Sequence, residues 1–451
     1  MEEIKWVVLG IAVAMYALIV LVPKKKVLFT TLASLSIVAL AVLFPGRIFK
    51  LPQDLVVAED IMQNRLFALE HCVFDGVINW NVMLIYLGSM ILASLFIYSR
   101  VPARIADAII SRTSNTGLAM VLILVMAGVI SIFVENVATV LVMAPVAMAM
   151  CKKLKIDPTL FMIGLAVMSN LEGCATLVGD PPSMIFAGYA GFNFNDFFIH
   201  SGKLSVFFVV QVGLIAGSVF FYLFFLKNGR NKIEVEKEKV FSWVPLILLC
   251  LMVAGLASMS FFQFRFPYMA GAFVLGLGLV GLLWFIIRVH SLKELKKVMK
   301  DLDWETLFFL IGIFIVVAGI ESVGLLDDLA ALLATLTKGS KFMGFILILA
   351  VSIVISGFVD NVPYILAMLP VADSLARNLG INGELYMFAL LIGSCLGGNL
   401  TPFGASANVV AMGIVKKEGY PMGFGKWLKV GVPFTLITTA IASLVLWLIW
   451  A

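Results

Sequence analysis

"FVENVATV" at residues 133–140 sets a glutamate and an asparagine between apolar stretches, with no polar loop around them. "FVDNVPYI" at 358–365 repeats the arrangement 225 residues later, with aspartate in the glutamate's place. Ionisable groups inside a hydrocarbon environment are costly and mark ion or proton paths. Whether the flanking sequence is membrane therefore decides both the fold and the function.

Of 451 residues, 62% are apolar and 13% charged, which is not the composition of a soluble globular domain. Apolar runs of membrane-spanning length recur at 5–22, 27–44, 82–99, 204–226, 241–260, 267–288, 304–321 and 427–450. The leading "MEEIK" is partly acidic and "ALIVLVPKKK" offers no small-residue cleavage site, so the first run is expected to be an anchored span and not a secretory signal. The longest polar connections, 45–80 and 227–240, leave no room for a soluble domain. The net charge of +5 is spread over membrane-edge loops, which argues for orientation and against nucleic-acid binding. Cys72, Cys151, Cys174, Cys250 and Cys395 show no CxxC spacing, so neither a disulfide framework nor a zinc site is expected. His71, His200 and His290 fall in loops or at span ends and are given no role.

Basic clusters at 23–26, 100–112, 151–155, 227–239, 288–300 and 416–426 are expected on the cytoplasmic side, and the more acidic 45–80 loop outside. Threading these sides gives ten full spans with both termini outside. Two segments, 117–151 and 343–377, enter and leave on one side and carry the opening motifs at their centres. With no solvated linker at the turn, each is expected to be a re-entrant hairpin whose tip stops inside the protein, where non-helical backbone is tolerated.

The repeat extends beyond the two motifs. At the same offset Pro145 falls on Pro370, Ser169 on Ser394, Gly173 on Gly398, Thr176 on Thr401 and Gly179 on Gly404. Each half, 1–226 and 241–451 about the 227–240 linker, holds five spans and a hairpin. Five is odd, so the second half runs upside down. An inverted-topology repeat is the architecture of many secondary transporters, which bind substrate and coupling ion where the repeats meet. After each hairpin an apolar run is interrupted by helix-breaking residues, "EGCATLVGDPPSM" (172–184) within 159–190 and "GGNLTPFGASANV" (397–409) within 384–412. Asp180 is placed to cap a restarting half-helix beginning at Pro181 and Pro182; with Ala405 in the matching place, Ser406 or a nearby threonine is expected to cap the other.

"ENVATVLVMAPV", "ATLVGDPPSMI", "DNVPYILAMLPV" and "GGNLTPFGASANVV" resemble the paired signatures of the ArsB/NhaD permeases, the P protein-like branch of the ion transporter superfamily, over residues from about 80 to 450. The resemblance implies a homodimer in which scaffold helices hold a mobile, elevator-type transport domain of hairpins and broken helices. The more distant divalent-anion/sodium symporters use Ser-Asn-Thr at their hairpin tips. Asn136 and Asn361 match that asparagine, while Glu135 and Asp360 stand in the serine's place.

The candidate ion- and substrate-binding residues are Glu135, Asn136, Asp360 and Asn361 at the tips, Thr176, Gly179 and Asp180 at the first break, and Thr401, Gly404, Ser406 and Asn408 at the second. The asparagines could merely cap turns, the threonines could bond back to their own helices, and the glycines serve backbone conformation before ligation. Neither hairpin core contains a lysine or arginine to pair with its carboxylate. Desolvation disfavours a charged carboxylate, so Glu135 or Asp360 could exchange a proton. Alternatively, Asn136, Asp360 and Asn361 could hold sodium, since hard cations take oxygen ligands. The expected function is cation-coupled transport, by sodium/proton exchange or efflux of an arsenite-type oxyacid, with H+ or Na+ as coupling ion and no other cofactor. Sodium-coupled carriage of a dicarboxylate or citrate-type anion, and a passive anion channel on the same fold, are the alternatives. A membrane enzyme is disfavoured because HExxH, GxSxG and a histidine near the acidic positions are all missing.

Overall fold

The computed structural model describes residues 2–51, 60–226, 238–262, 264–420 and 422–451. Most of the expected linker, 227–237, and part of the acidic loop, 52–59, lie outside the described residues. The described chain is nearly all helical. It opens with α1 (Glu2–Leu21), α2 (Lys26–Leu43), α3 (Ile61–Glu70), α4 (Trp80–Tyr98) and α5 (Val101–Arg112). The first hairpin is α6 (Thr116–Ser131) and α7 (Asn136–Leu154), and the first broken helix is α8 (Thr159–Gly173) and α9 (Pro181–Ala190). A two-stranded antiparallel hairpin, β1 (Ile199–His200) and β2 (Lys203–Leu204), precedes α10 (Val206–Phe225). Then come α11 (Val244–Met259), α12 (Met269–Val289), α13 (Leu292–Lys300), α14 (Trp304–Ser322) and α15 (Leu325–Thr337). The second hairpin is α16 (Lys341–Ser356) and α17 (Asn361–Asn378). The second broken helix is α18 (Glu384–Gly397) and α19 (Ser406–Lys417), and α20 (Phe424–Trp450) closes the chain.

All eight apolar runs became helices within a few residues of their sequence bounds. Among the described residues, α1, α2, α4, α7, α10, α12, α14 and α20 are long and apolar enough to cross a bilayer. Helix α11, with 16 residues, is shorter than the roughly 20 that a straight crossing takes. The protein is a multi-pass membrane protein, and its helices show the inside-out logic of lipid exposure. In α1, Val8, Ala12, Met15 and Ile19 form the buried stripe, while Trp6, Val13 and Leu21 stay exposed on other faces.

The chain divides into two compact units, each drawing on segments before and after residue 227. The first comprises Met1–Met83, Asp303–Gly344 and Leu366–Gly383. Within it α2 packs closely on α14, with Gly312 against the Thr30 backbone; a Cβ at Gly312 would lie 2.7 Å from Thr30 Cγ2. The second comprises Leu84–Leu302, Phe345–Ile365 and Glu384–Ala451, and every candidate site residue belongs to it. Here α8 is the central helix, packed on α6, α7, α10, α18, α19 and α20 and buried along its whole length. Four short helices outside the long apolar runs, α3, α5, α13 and α15, carry no signal in hydropathy. Two of them begin with side-chain caps, Asp60 accepting from Met62 N and Gln63 N and Ser291 accepting from Glu294 N.

Candidate functional site

Each hairpin turns in four residues, 132–135 and 357–360, at the 225-residue offset. The carboxylates, not the asparagines, cap the returning helices. Glu135 Oε2 accepts from Ala138 N at 3.0 Å, and Asp360 Oδ1 accepts from Val362 N at 3.2 Å. That leaves Asn136 and Asn361 as the first residues of α7 and α17, both buried. Ser131 Oγ donates to Asn136 Oδ1 at 2.6 Å, which leaves the amide nitrogen to donate elsewhere.

The breaks after α8 and α18 are tied to these turns by the two threonines. Thr176 Oγ1 donates to Ile132 O and Thr401 Oγ1 to Gly357 O, both at 2.5 Å, so neither bonds back to its own helix. Gly179 N and Gly404 N bond back to Thr176 O and Thr401 O at 3.4 Å in both repeats. A side chain at Gly179 would collide with Gly173 O, and at Gly404 a Cβ would stand 2.6 Å from Gly398 O, so both positions are close backbone crossings. Ser183 Oγ donates to Gly173 O at 3.3 Å, and its repeat mate Asn408 donates through Nδ2 to Gly398 O at 2.9 Å.

The expected capping role of Asp180 is not what the structure shows. Asp180 holds the N-cap position of α9 with extended backbone, φ −152° and ψ 149°, but its side chain makes no capping bond. Pro182 removes one of the two amide donors such a cap would use, and the other, Ser183 N, bonds to the Asp180 main-chain oxygen at 3.0 Å. Ala405 has almost the same backbone, φ −144° and ψ 147°, and α19 likewise starts without a side-chain cap; Ser406 is exposed at its first position and does not supply one.

Released from capping, the buried Asp180 carboxyl meets the side-chain amides of both Asn136 and Asn361, with the Glu135 and Asp360 carboxyls close enough for their charge to act on it. Its Oδ2 has no hydrogen-bond partner among the described residues. The amino ends of α7, α9 and α17 therefore converge on one carboxylate. Their partial positive charge partly offsets it and makes the surroundings receptive to an anion once a cation or proton has neutralised the acid. Asn136, Asp180 and Asn361 form the core of the candidate site, with Glu135 and Asp360 at its edge. Thr176, Thr401, Gly179 and Gly404 build its walls.

A second polar cluster escaped the sequence reading. Asn170 Nδ2 donates to Asn399 Oδ1 at 2.8 Å and to Asn408 Oδ1 at 2.9 Å, and Cys395 meets Cys174. At the offset of 225, Asn170 corresponds to Cys395 and Cys174 to Asn399. The two contacts are thus each other's image, the signature of a local two-fold relating α8 to α18. The repeat does not mark Asn170 or Glu172, whose mates, Cys395 and Gly397, are not polar counterparts. Three polar residues within "SNLE" (169–172) of an apolar run were the available signal.

The sequence model of the family described as citrate transporter (CitMHS) matches residues 3–393. A Mycobacterium tuberculosis protein described as an uncharacterised transporter is 33% identical over 388 residues, covering 83% of this chain and 87% of that one. The human P protein is 24% identical over 399 residues, 71% of this chain and 48% of that longer one. Among solved structures, that of the Alcanivorax borkumensis YdaH transporter is similar, with TM-score 0.60 at 14% identity, covering 93% of this chain and 97% of that one. That likeness bears on the fold alone.

Proposed function

The chain belongs to the citrate transporter (CitMHS) family of membrane transporters, and from that premise we propose that it is a cation-coupled secondary transporter whose coupling cation binds at Asp180. The observation that carries this reading is the meeting of both hairpin-tip asparagines on one buried carboxyl with an unpartnered Oδ2. A carboxylate held this way is costly until a proton or a cation joins it. Sodium would find the Asp180 carboxylate as a hard ligand, and the tip amides, which meet Asp180 as donors while Asn136 Oδ1 accepts from Ser131, would turn over to add their oxygens. Neutralisation then leaves three helix amino ends facing a small oxyanion or carboxylate, and the family's description makes citrate-class anions the first substrates to try. The transported anion and the cation are thus bound in order, cation first.

A second reading, sodium/proton exchange or oxyacid efflux of the ArsB/NhaD kind, is supported by the acidic character of the tips, where Glu135 and Asp360 flank Asp180. The inverted halves, an elevator-type movement, homodimeric assembly and termini on the outer face complete the proposal and rest on the repeat, the basic loops and the motif resemblance.

Flux in proteoliposomes tests it. Radiolabelled citrate, arsenite, sodium and a dicarboxylate are offered under imposed proton or sodium gradients. The expected result is saturable, concentrative uptake or exchange of one of them that collapses when the driving gradient is dissipated. Flux that never exceeds equilibrium and ignores both gradients would instead make the protein a passive channel.

A further inference from the structure

Glu172 closes α8 one residue before Gly173, is fully buried, and takes no part in the Asp180 cluster. Its Oε2 accepts from Gln211 Nε2 of α10 at 2.6 Å, while Oε1 has no hydrogen-bond partner among the described residues. Its stem lies on Gly128 of α6, where an added Cβ would stand 3.0 Å from Glu172 Cγ and 3.3 Å from Leu214 Cδ1.

The titratable groups on the elements packed against α8 lie elsewhere along those elements. Helix α6 has none and α10 only Tyr222. Cys151, Lys152 and Lys153 end α7, with Glu135 at its other end, and Lys416 and Lys417 end α19. Lys426 and Lys429 begin α20, and α18 carries Glu384 and Tyr386 in its first turn and Cys395 near its end. Burial and the Gln211 amide are the influences that act on Glu172.

We propose that Glu172 is a proton-binding site of the transport cycle, separate from the Asp180 cluster, which holds a proton in the packed arrangement of α6, α8 and α10 and gives it up in another state of the cycle. The chemistry of the pocket selects the proton. A hard cation needs several oxygen ligands. Here one oxygen is free, the other faces an amide donor, and the remaining neighbours include Leu214 and the Gly128 backbone. An ionised, unpaired carboxylate is strongly disfavoured in such a place. The Gln211 bond also suits the acid, because it serves the carbonyl oxygen and leaves Oε1 for the proton.

The path to the site is one residue long. Gly173 O accepts from Ser183 Oγ, and the Gly173 backbone packs on the Asn136 amide. A change in the last turn of α8 therefore reaches Asn136 of the Asp180 cluster directly, and Ser183 in the first turn of α9. This inference rests on the transport reading and adds a proton at Glu172 to the cation at Asp180 as a second coupling ion.

Two measurements on the purified full-length protein test it. Infrared spectroscopy across pH should show a protonated-carboxyl band that Glu172→Gln removes. In proteoliposomes, Glu172→Gln should lower proton-driven concentration of radiolabelled citrate by about tenfold or more, flatten its pH profile, and leave citrate exchange at equilibrium intact. Gln211→Leu, which removes the donor, should shift the midpoint of the pH profile without abolishing uptake. An infrared band unchanged in Glu172→Gln, or a wild-type pH profile in that variant, overturns the proposal. Wild-type citrate uptake that ignores a proton gradient overturns the coupling role. If the wild type carries none of the substrates offered, the transport reading fails instead, and the infrared band alone decides whether Glu172 holds a proton.

Discussion

Asp180 sits where a helix cap belongs and does not cap, whereas Glu135, also a candidate ion ligand, does cap. At Asp180 the second helical amide is lost to Pro182 and the third, Ser183 N, bonds to the Asp180 main-chain oxygen at 3.0 Å, whereas at Glu135 the third amide, Ala138 N, meets the carboxylate. Mutation should separate the two carboxylates. Glu135→Ala should cost about 1 kcal/mol of stability, the usual loss for a capping side chain. Asp180→Asn should leave thermal unfolding of the detergent-solubilised protein unchanged, yet lower gradient-driven uptake by roughly tenfold or more, because the neutral amide cannot complete a cation site. A stability loss without a transport defect at Asp180 would return it to a structural role. The asparagines and threonines of this site were legible in the sequence because the repeat states them twice. Asn170 and Glu172 were not, because neither is stated twice and neither is followed by the prolines that mark Asp180.

At the scale of elements, each break is fastened to its hairpin by one threonine hydroxyl and one turn carbonyl, 44 residues apart in both halves. The acceptors Ile132 O and Gly357 O lie in turns that have lost their helical donors. Thr176→Val and Thr401→Val keep the shape and remove the donor, so each should destabilise the protein by about 1–3 kcal/mol, the range for a buried polar group left unsatisfied. Thr176→Ser and Thr401→Ser should recover most of that loss in the same thermal-unfolding measurement. Valine variants as stable as the parent would mean that these bonds do not hold the breaks in place. Long apolar helices and both breaks could be read from hydropathy and from glycine and proline placement. Helices α3, α5, α13 and α15 could not, since 9 to 13 residues of mixed polarity carry no spanning signal and their formation depends on caps and on packing.

For the whole molecule, the mirrored contacts Asn170–Asn399 and Cys174–Cys395 relate α8 to α18 by a local two-fold. If that relation is the inversion expected from an odd number of spans per half, the hairpin turns at 132–135 and 357–360 enter from opposite faces of the bilayer. Phe133 is half-buried at the first turn and Phe358 is 58% exposed at the second, so cysteines there sample the two tips without replacing a residue of the Asp180 cluster. In a background with the five native cysteines replaced, a membrane-impermeant maleimide should reach Phe133→Cys from one face and Phe358→Cys from the other, as compared in right-side-out and inside-out vesicles. Both should react more slowly than a cysteine in the 288–300 basic segment, because a tip that stops inside the protein is reached only through the transport path. Labelling of both tips from the same face would remove the inversion. Labelling of either as fast as the basic segment would turn that hairpin into a pair of complete spans.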